Sequence, residues 1–219
     1  MPTTSVTHQT REQQGGEGSI VARQQADHHD LEVLMRAYEA GLPVADRPEH
    51  LRELCRVALQ HAFAEETVLF PAARRLLPEG DPLTGEIEGD HQEINEQLVA
   101  VADLDPDDPE HEARVARLFT LLREDARTEE DLLLPRLQEV TGDEQLRRIG
   151  AAWEASKQTA PTRPHPAIPR RPPGNLVTGL PLSVLDRGRD LLDRAGGPGR
   201  VAVLAATVLV VRSLRRLAH

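Results

Sequence analysis

Two stretches of this chain are variants of one pattern. Residues 61–71 read HAFAEETVLFP and residues 125–135 read DARTEEDLLLP. Ala62/Ala126, Glu65/Glu129, Glu66/Glu130, Leu69/Leu133 and Pro71/Pro135 are identical, five positions of eleven. A second match precedes each stretch. Residues 27–31 are DHHDL and residues 90–94 are DHQEI, which pairs Asp27 with Asp90, His28 with His91 and Leu31 with Ile94. The offset is 63–64 residues throughout. The chain therefore contains two helical hairpins of one design, and a bundle made from them has an approximate two-fold axis.

Helical periodicity supports this reading. The first helix runs from Ser19 to Ala40, with Leu31, Leu34, Met35 and Tyr38 at helical spacing and Gly41 and Pro43 as its stop. The second opens at Asp46-Arg47-Pro48 and reaches Leu77, with a kink or break expected at Pro71. Glu79 to Pro82 reads as a turn, and the third helix covers residues 84–103. The fourth starts at Asp108-Pro109 and ends near Val140, with Pro135 placed as Pro71 is. A shorter helix over residues 143–157 carries Leu146, Ile149 and Trp153. No stretch alternates like a strand. Four long helices with short connections predict an all-α, antiparallel up-down four-helix bundle with a short fifth helix and an extended C-terminal tail. The expected organisation is a disordered tail over residues 1–18, the bundle over 19–158, a Pro-rich linker over 159–179, and a basic tail over 180–219. Six prolines between residues 160 and 174 make the linker stiff.

Charge is unevenly spread. Residues 161–219 hold ten arginines against Asp186, Asp190 and Asp193, a balance of +7, while the preceding 160 residues carry 16 basic and 33 acidic side chains, a balance of −17. An acidic body argues against a nucleic-acid surface, which needs cations. Within 180–219, the apolar run Val201–Val211 beside Arg212, Arg215 and Arg216 reads as a contact for a membrane surface, a contact for a protein partner, or a loose tail. No apolar run reaches the roughly 18 residues of a membrane span. The N-terminus has no secretory apolar core, and Cys55 is the one cysteine, so a reducing, cytoplasmic setting is expected. Lys157 is the one lysine; arginine at every other basic position reads as coding bias.

The repeat places polar residues on inward faces. His61 and Glu65 are four apart, about 40° around the axis, and Asp125 and Glu129 repeat the spacing. His28 and His91 each stand three before an apolar residue. Turned inward at one level, these faces gather His28, His61, Glu65, His91, Asp125 and Glu129. Such a cluster costs many kcal/mol without partners, and a pair of metal ions offsets that cost. Imidazole with carboxylate suits iron, and less selectively manganese or zinc. HxxxE alone is weak, since His8/Glu12 also fits it; the repeat supplies the weight. Glu66 and Glu130 lie about 100° further round and are expected to face solvent. A single ExxH, Glu88/His91, falls short of the two that ferritin-like centres need.

His28, then His61/Glu65 in HAFAEETVLFP, His91 in DHQEI, and EE with LLLP over 129–135 resemble the hemerythrin-type HHE cation-binding domain. The APTRPHP stretch beyond the bundle is similar to bacterial members. The resemblance covers residues 20–167. It implies a four-helix bundle with a non-haem di-iron centre and His28, His61, Glu65, His91 and Glu129 as matched ligands, Glu65 and Glu129 bridging. Asp125 departs from the family's histidine, which makes the site harder and more negative and puts reversible oxygen carriage in doubt. The expected function is handling or sensing a small oxidant: oxygen, peroxide or nitric oxide. No general base or nucleophile is legible, so no catalysed reaction is assigned; any activity would be of oxidoreductase type. The alternatives are an iron- or oxygen-responsive module acting through its tail, and a metal-free helical scaffold.

Overall fold

Ser19 sets where the bundle begins. Its side chain accepts the Ala22 N–H at 3.1 Å and caps α1 (Ile20–Glu39). The computed structural model describes residues 4–160. Pro48 sits in the first turn of α2 (Arg47–Ala64), where its missing N–H costs nothing. A wide π-turn, Glu65–Leu69, joins α2 to α3 (Phe70–Leu76). Then come α4 (Gly80–Asp103) and α5 (His111–Thr128), which passes through a second π-turn, Glu129–Leu133, into α6 (Leu134–Val140). The last helix is α7 (Asp143–Lys157). There is no strand among the described residues. The third long helix starts earlier than the sequence suggests: residues 80–82 form its first turn, where Pro82 is tolerated.

Of the kink or break expected at Pro71, the helix shows a local distortion and no break. Pro71 cannot donate to a carbonyl one turn back, and its ring crowds that carbonyl. The chain widens instead: Phe70 N–H reaches back five residues to Glu65 O, and Leu134 N–H does the same to Glu129 O ahead of Pro135. Both helices continue past their prolines.

Two apolar clusters fix the topology. One holds Ile20, Val21, Leu69, Phe70, Ile87, Leu133, Leu134 and Trp153, and the other Leu31, Met35, Leu54, Ala58, Ile94, Leu98, Leu118 and Leu122. Along α1 and α4 the chain meets the first cluster, then the second; along α2–α3 and α5–α6 the order reverses. That alternation is an up-down-up-down bundle. On every long helix the predicted polar residues fall between the two clusters, so the polar level has apolar packing on both sides.

The N-terminal segment corrects one expectation. Residues 1–18 were expected to be disordered, yet from residue 4 the chain packs on the bundle. Val6 and Gln14 are fully buried. Gln14 Nε2 donates to Val6 O (3.0 Å) and Gln25 Oε1 (2.8 Å), and the Gln9 and Gln138 amides exchange two hydrogen bonds. Gly15 and Gly16, at φ +88° and +91°, make the turn that brings Gln14 inward. Long-range amide pairing holds this segment, which no local periodicity signals. Residues 161–219, covering most of the expected Pro-rich linker and the whole basic tail, lie outside the described residues.

α7 packs against the start of α1 through Gly150. A Cβ there would lie 2.3 Å from Gly18 O and 2.9 Å from Ile20 N, and backbone atoms cannot give way cheaply. Gly150→Ala is expected to lower the unfolding free energy by about 1–3 kcal/mol in urea titrations.

Candidate metal centre

The six predicted residues converge in one buried level. His28 comes from α1, His61 from the end of α2, Glu65 and Glu129 from the starts of the two π-turns, His91 from α4, and Asp125 from α5. Glu65 and Glu129 have no exposed surface. The groups form two overlapping sets: His28, His61, Glu65 and Glu129 in one, and Glu65, His91, Asp125 and Glu129 in the other. The two glutamates belong to both.

Distances show the sharing directly. Glu65 Oε1 lies 3.2 Å from His61 Nε2, and its other oxygen lies 3.2 Å from His91 Nε2. Glu129 Oε2 lies 3.2 Å from His28 Nε2 and 3.9 Å from His61 Nε2. Asp125 Oδ2 is 3.6 Å from His91 Nε2. His28 Nε2 and His61 Nε2 are only 3.2 Å apart. Two imidazole lone pairs at that separation repel unless a proton or a cation lies between them.

Carboxylates outside this set hold the outer nitrogen of each imidazole. His28 Nδ1 donates to Glu130 Oε1 (2.9 Å), His91 Nδ1 to Glu66 Oε1 (3.1 Å), and His61 Nδ1 to Asp27 Oδ2 (3.5 Å). Each ring therefore keeps its Nε2 turned to the centre. A carboxylate behind a histidine is the usual support of a metal-binding imidazole. Glu66 and Glu130 were expected to face solvent, and both face inward instead. A step of about 100° from the bundle axis carries a side chain into the seam with the next helix. There Glu66 meets α4 and Glu130 meets α1. The supports cross between hairpins, each second glutamate serving a histidine of the other half.

Sequence reasoning missed Gln24, which is fully buried and donates from Nε2 to Glu65 Oε1 at 2.7 Å. It stands one turn before His28, but its repeat partner is the core residue Ile87, so no pattern marks it. Glu88 pairs with Arg74 at 2.6 Å and does not belong to either set, which removes the ExxH reading. Phe70 stacks on His91 and Trp153 meets His61 edge-on, with ring centres 5.5 and 5.2 Å apart.

The electrostatics are those of a site in want of cations. Burial opposes charging His61, but Glu65 and Asp27 outweigh it and lift the imidazole to about 9. Burial likewise opposes charging His91, and Asp125, Glu65 and Glu66 push it well up. Burial, then the charges of Glu65 and Asp125, raise the Glu129 carboxyl well above its ordinary range. Glu65 is held low against burial, chiefly by His61. Even so, Glu65 Oε2, His91 Nε2, Asp125 Oδ1 and Glu129 Oε1 are buried with no hydrogen-bond partner. Orphaned inward atoms on four different residues fit metal ions, which would take those lone pairs.

A cleft of about 600 Å³ opens between α1 and α5 and reaches His28 and Glu130, with His29, Met35, Arg123 and Arg127 on its walls. It brings solvent to the outer side of the centre. No helix among the described residues is long and apolar enough to cross a membrane.

The model of the hemerythrin HHE cation-binding domain matches residues 19–137. The chain is 25% identical over 136 residues to an uncharacterized hemerythrin-like protein of Schizosaccharomyces pombe, an overlap covering 62% of this chain and 67% of that one. It is 26% identical over 131 residues to a DNA nickase of Nostoc sp., covering 60% of this chain but 37% of the nickase. No solved structure gives a significant match.

Proposed function

Because the chain belongs to the hemerythrin HHE cation-binding family, we propose that it is a non-haem di-iron protein that handles or senses a small oxidant. The observation that carries this reading is the arrangement of three imidazoles, each backed by a carboxylate at Nδ1 and aimed by Nε2 at two carboxylates shared between two sets. His28 and His61 would hold one ion, His91 and Asp125 the other, and Glu65 and Glu129 would bridge. Iron is favoured over manganese or zinc by the family match. Bound there, it supplies one-electron redox chemistry and a binding position for oxygen, peroxide or nitric oxide.

The chain's own residues shape what such a centre does. Asp125 adds a third carboxylate to three imidazoles, a harder donor set that favours the more highly charged ion and so suits reaction with an oxidant over reversible carriage of oxygen. The α1–α5 cleft admits a small molecule as far as His28. Glu130, its side chain 12% exposed, is placed to hold or pass a proton at His28 Nδ1, whereas Glu66, at 3%, is sealed. Apolar packing above and below keeps other water out. The nicking activity in the name of the Nostoc relative stays with that protein, of which this chain spans little more than a third.

Protein purified without chelator, or reconstituted anaerobically with ferrous ion, is expected to hold two irons per chain and, after oxidation, to show the near-ultraviolet bands of a coupled ferric pair. A chain that takes up no iron by either route would count against the reading.

A further inference from the structure

Lys157 is the one lysine among 26 lysines and arginines, and the sequence alone offers no reason for it beyond coding bias. Its position in the fold does. At the last turn of α7, its Nζ donates to both oxygens of Asp27 at 2.7 Å. Asp27 Oδ2 in turn accepts from His61 Nδ1 at 3.5 Å. One turn earlier on the same helix, Trp153 lies edge-on to the His61 ring. The short fifth helix therefore reaches His61 twice, once by packing and once through a charged relay.

The other hairpin has no such device. The positions equivalent to Asp27 and His61 are Asp90 and Asp125, both carboxylates. The repeat gives the two halves the same backbone plan, and α7 contacts only one of them in this way. We infer that Lys157 is a positioning residue for the His28/His61 half of the centre: it fixes Asp27, Asp27 fixes His61 with Nε2 inward, and ion uptake there clamps the last turn of α7. The final clause follows from reciprocity, because a contact that raises affinity for an ion is itself strengthened by that ion. A lysine suits the place. Its compact ammonium reaches both oxygens of Asp27 from a flexible stem, where the planar fork of arginine imposes a geometry of its own.

This inference rests on the di-iron reading, and it competes with a simpler role in which Lys157 only ties α7 to α1. The same two helices carry a control. Arg23 and Glu154 form an ion pair at 2.6 Å and belong to neither set. The full-length protein, stripped of metal, is titrated anaerobically with ferrous ion while bound iron is counted and the fluorescence of the sole tryptophan, Trp153, is followed. Wild type is expected to take two ions. In Lys157→Met one of them weakens by about 10- to 100-fold and the other is unchanged, while Lys157→Arg recovers part of the loss. Arg23→Met leaves both affinities at the wild-type value even if it lowers the melting temperature. Hydrogen exchange at the end of α7 slows on iron uptake in wild type and Arg23→Met, but not in Lys157→Met. Should Lys157→Met fail to fold, Asp27→Asn makes the same test.

Equal affinities in Lys157→Met and Arg23→Met, or equal weakening of both ions, would overturn the inference while leaving the di-iron reading standing. Wild-type protein that binds no iron overturns both.

Discussion

Replacing Glu65 with alanine is expected to empty both halves of the centre, whereas Asp125→Ala is expected to empty one. Glu65 places one oxygen 3.2 Å from His61 Nε2 and the other 3.2 Å from His91 Nε2, so its loss removes a donor from each set at once. Asp125 belongs only to the set with His91. A donor facing the ion matters more than a residue behind it, so each affected ion is expected to weaken by more than about 100-fold. Iron analysis after anaerobic reconstitution separates the cases: two ions in wild type, one in Asp125→Ala, none in Glu65→Ala. Stability gives a second readout. An ion at about 1,000 times its dissociation constant stabilises the fold by about 4 kcal/mol, which for a chain of this size raises the melting temperature by about 8–16 °C. That increment is expected to vanish in Glu65→Ala. Two irons retained in Glu65→Ala would mean that the ions sit elsewhere.

The second large effect concerns the metal-free protein and pH. His61 is lifted from its ordinary value near 6.5 to about 9 in the fold, and His28 and His91 are raised in the same direction. A group whose pKa is raised by folding contributes stability that is complete below its unfolded value and disappears as pH passes its folded value. Glu65 is lowered, so its contribution is already complete at neutral pH and is lost only in acid. The metal-free protein is therefore expected to lose stability steadily from about pH 6.5 to 9 as its imidazoles give up the protons that stand in for cations. The loaded protein holds no such protons, and its binding releases them, so the gap between the two states widens as pH rises. Thermal melts of chelated and loaded protein at pH 6, 7.5 and 9 test this. A metal-free melting temperature that stays level or climbs over that range would rule out the proposed charge arrangement. His61→Ala is expected to flatten much of the slope.

Much of the centre was legible because the chain states it twice. HAFAEETVLFP and DARTEEDLLLP, each preceded by an Asp-His pair, point to the same inward faces, and in the fold those faces do meet. The supporting shell was harder to see. Glu66 and Glu130 look outward on a helical wheel, which has only an inside and an outside. A four-helix bundle also has seams, and those are where both side chains lie. The prolines gave a true signal of local distortion: a kink or break was expected, and the chain absorbs the lost N–H by π-turns at Glu65–Leu69 and Glu129–Leu133. Gln14 and Gln24 gave no signal at all, because a glutamine's burial depends on which acceptor sits opposite, and helical periodicity marks neither the Val6 carbonyl and Gln25 amide that Gln14 meets nor the Glu65 carboxylate that Gln24 meets.

The amino-acid order alone set the helical hairpins, their antiparallel pairing and the six residues they turn inward, since these follow from spacing along one helix and from repetition between two. Which carboxylate stands behind which imidazole was settled only by packing. The crossing of Glu66 to His91 and of Glu130 to His28, and the reach of Lys157 through Asp27 to His61, join segments 25, 102 and 130 residues apart. No local period encodes such contacts; they exist because apolar clusters at both ends of the bundle fix the helices at the distances where those side chains meet.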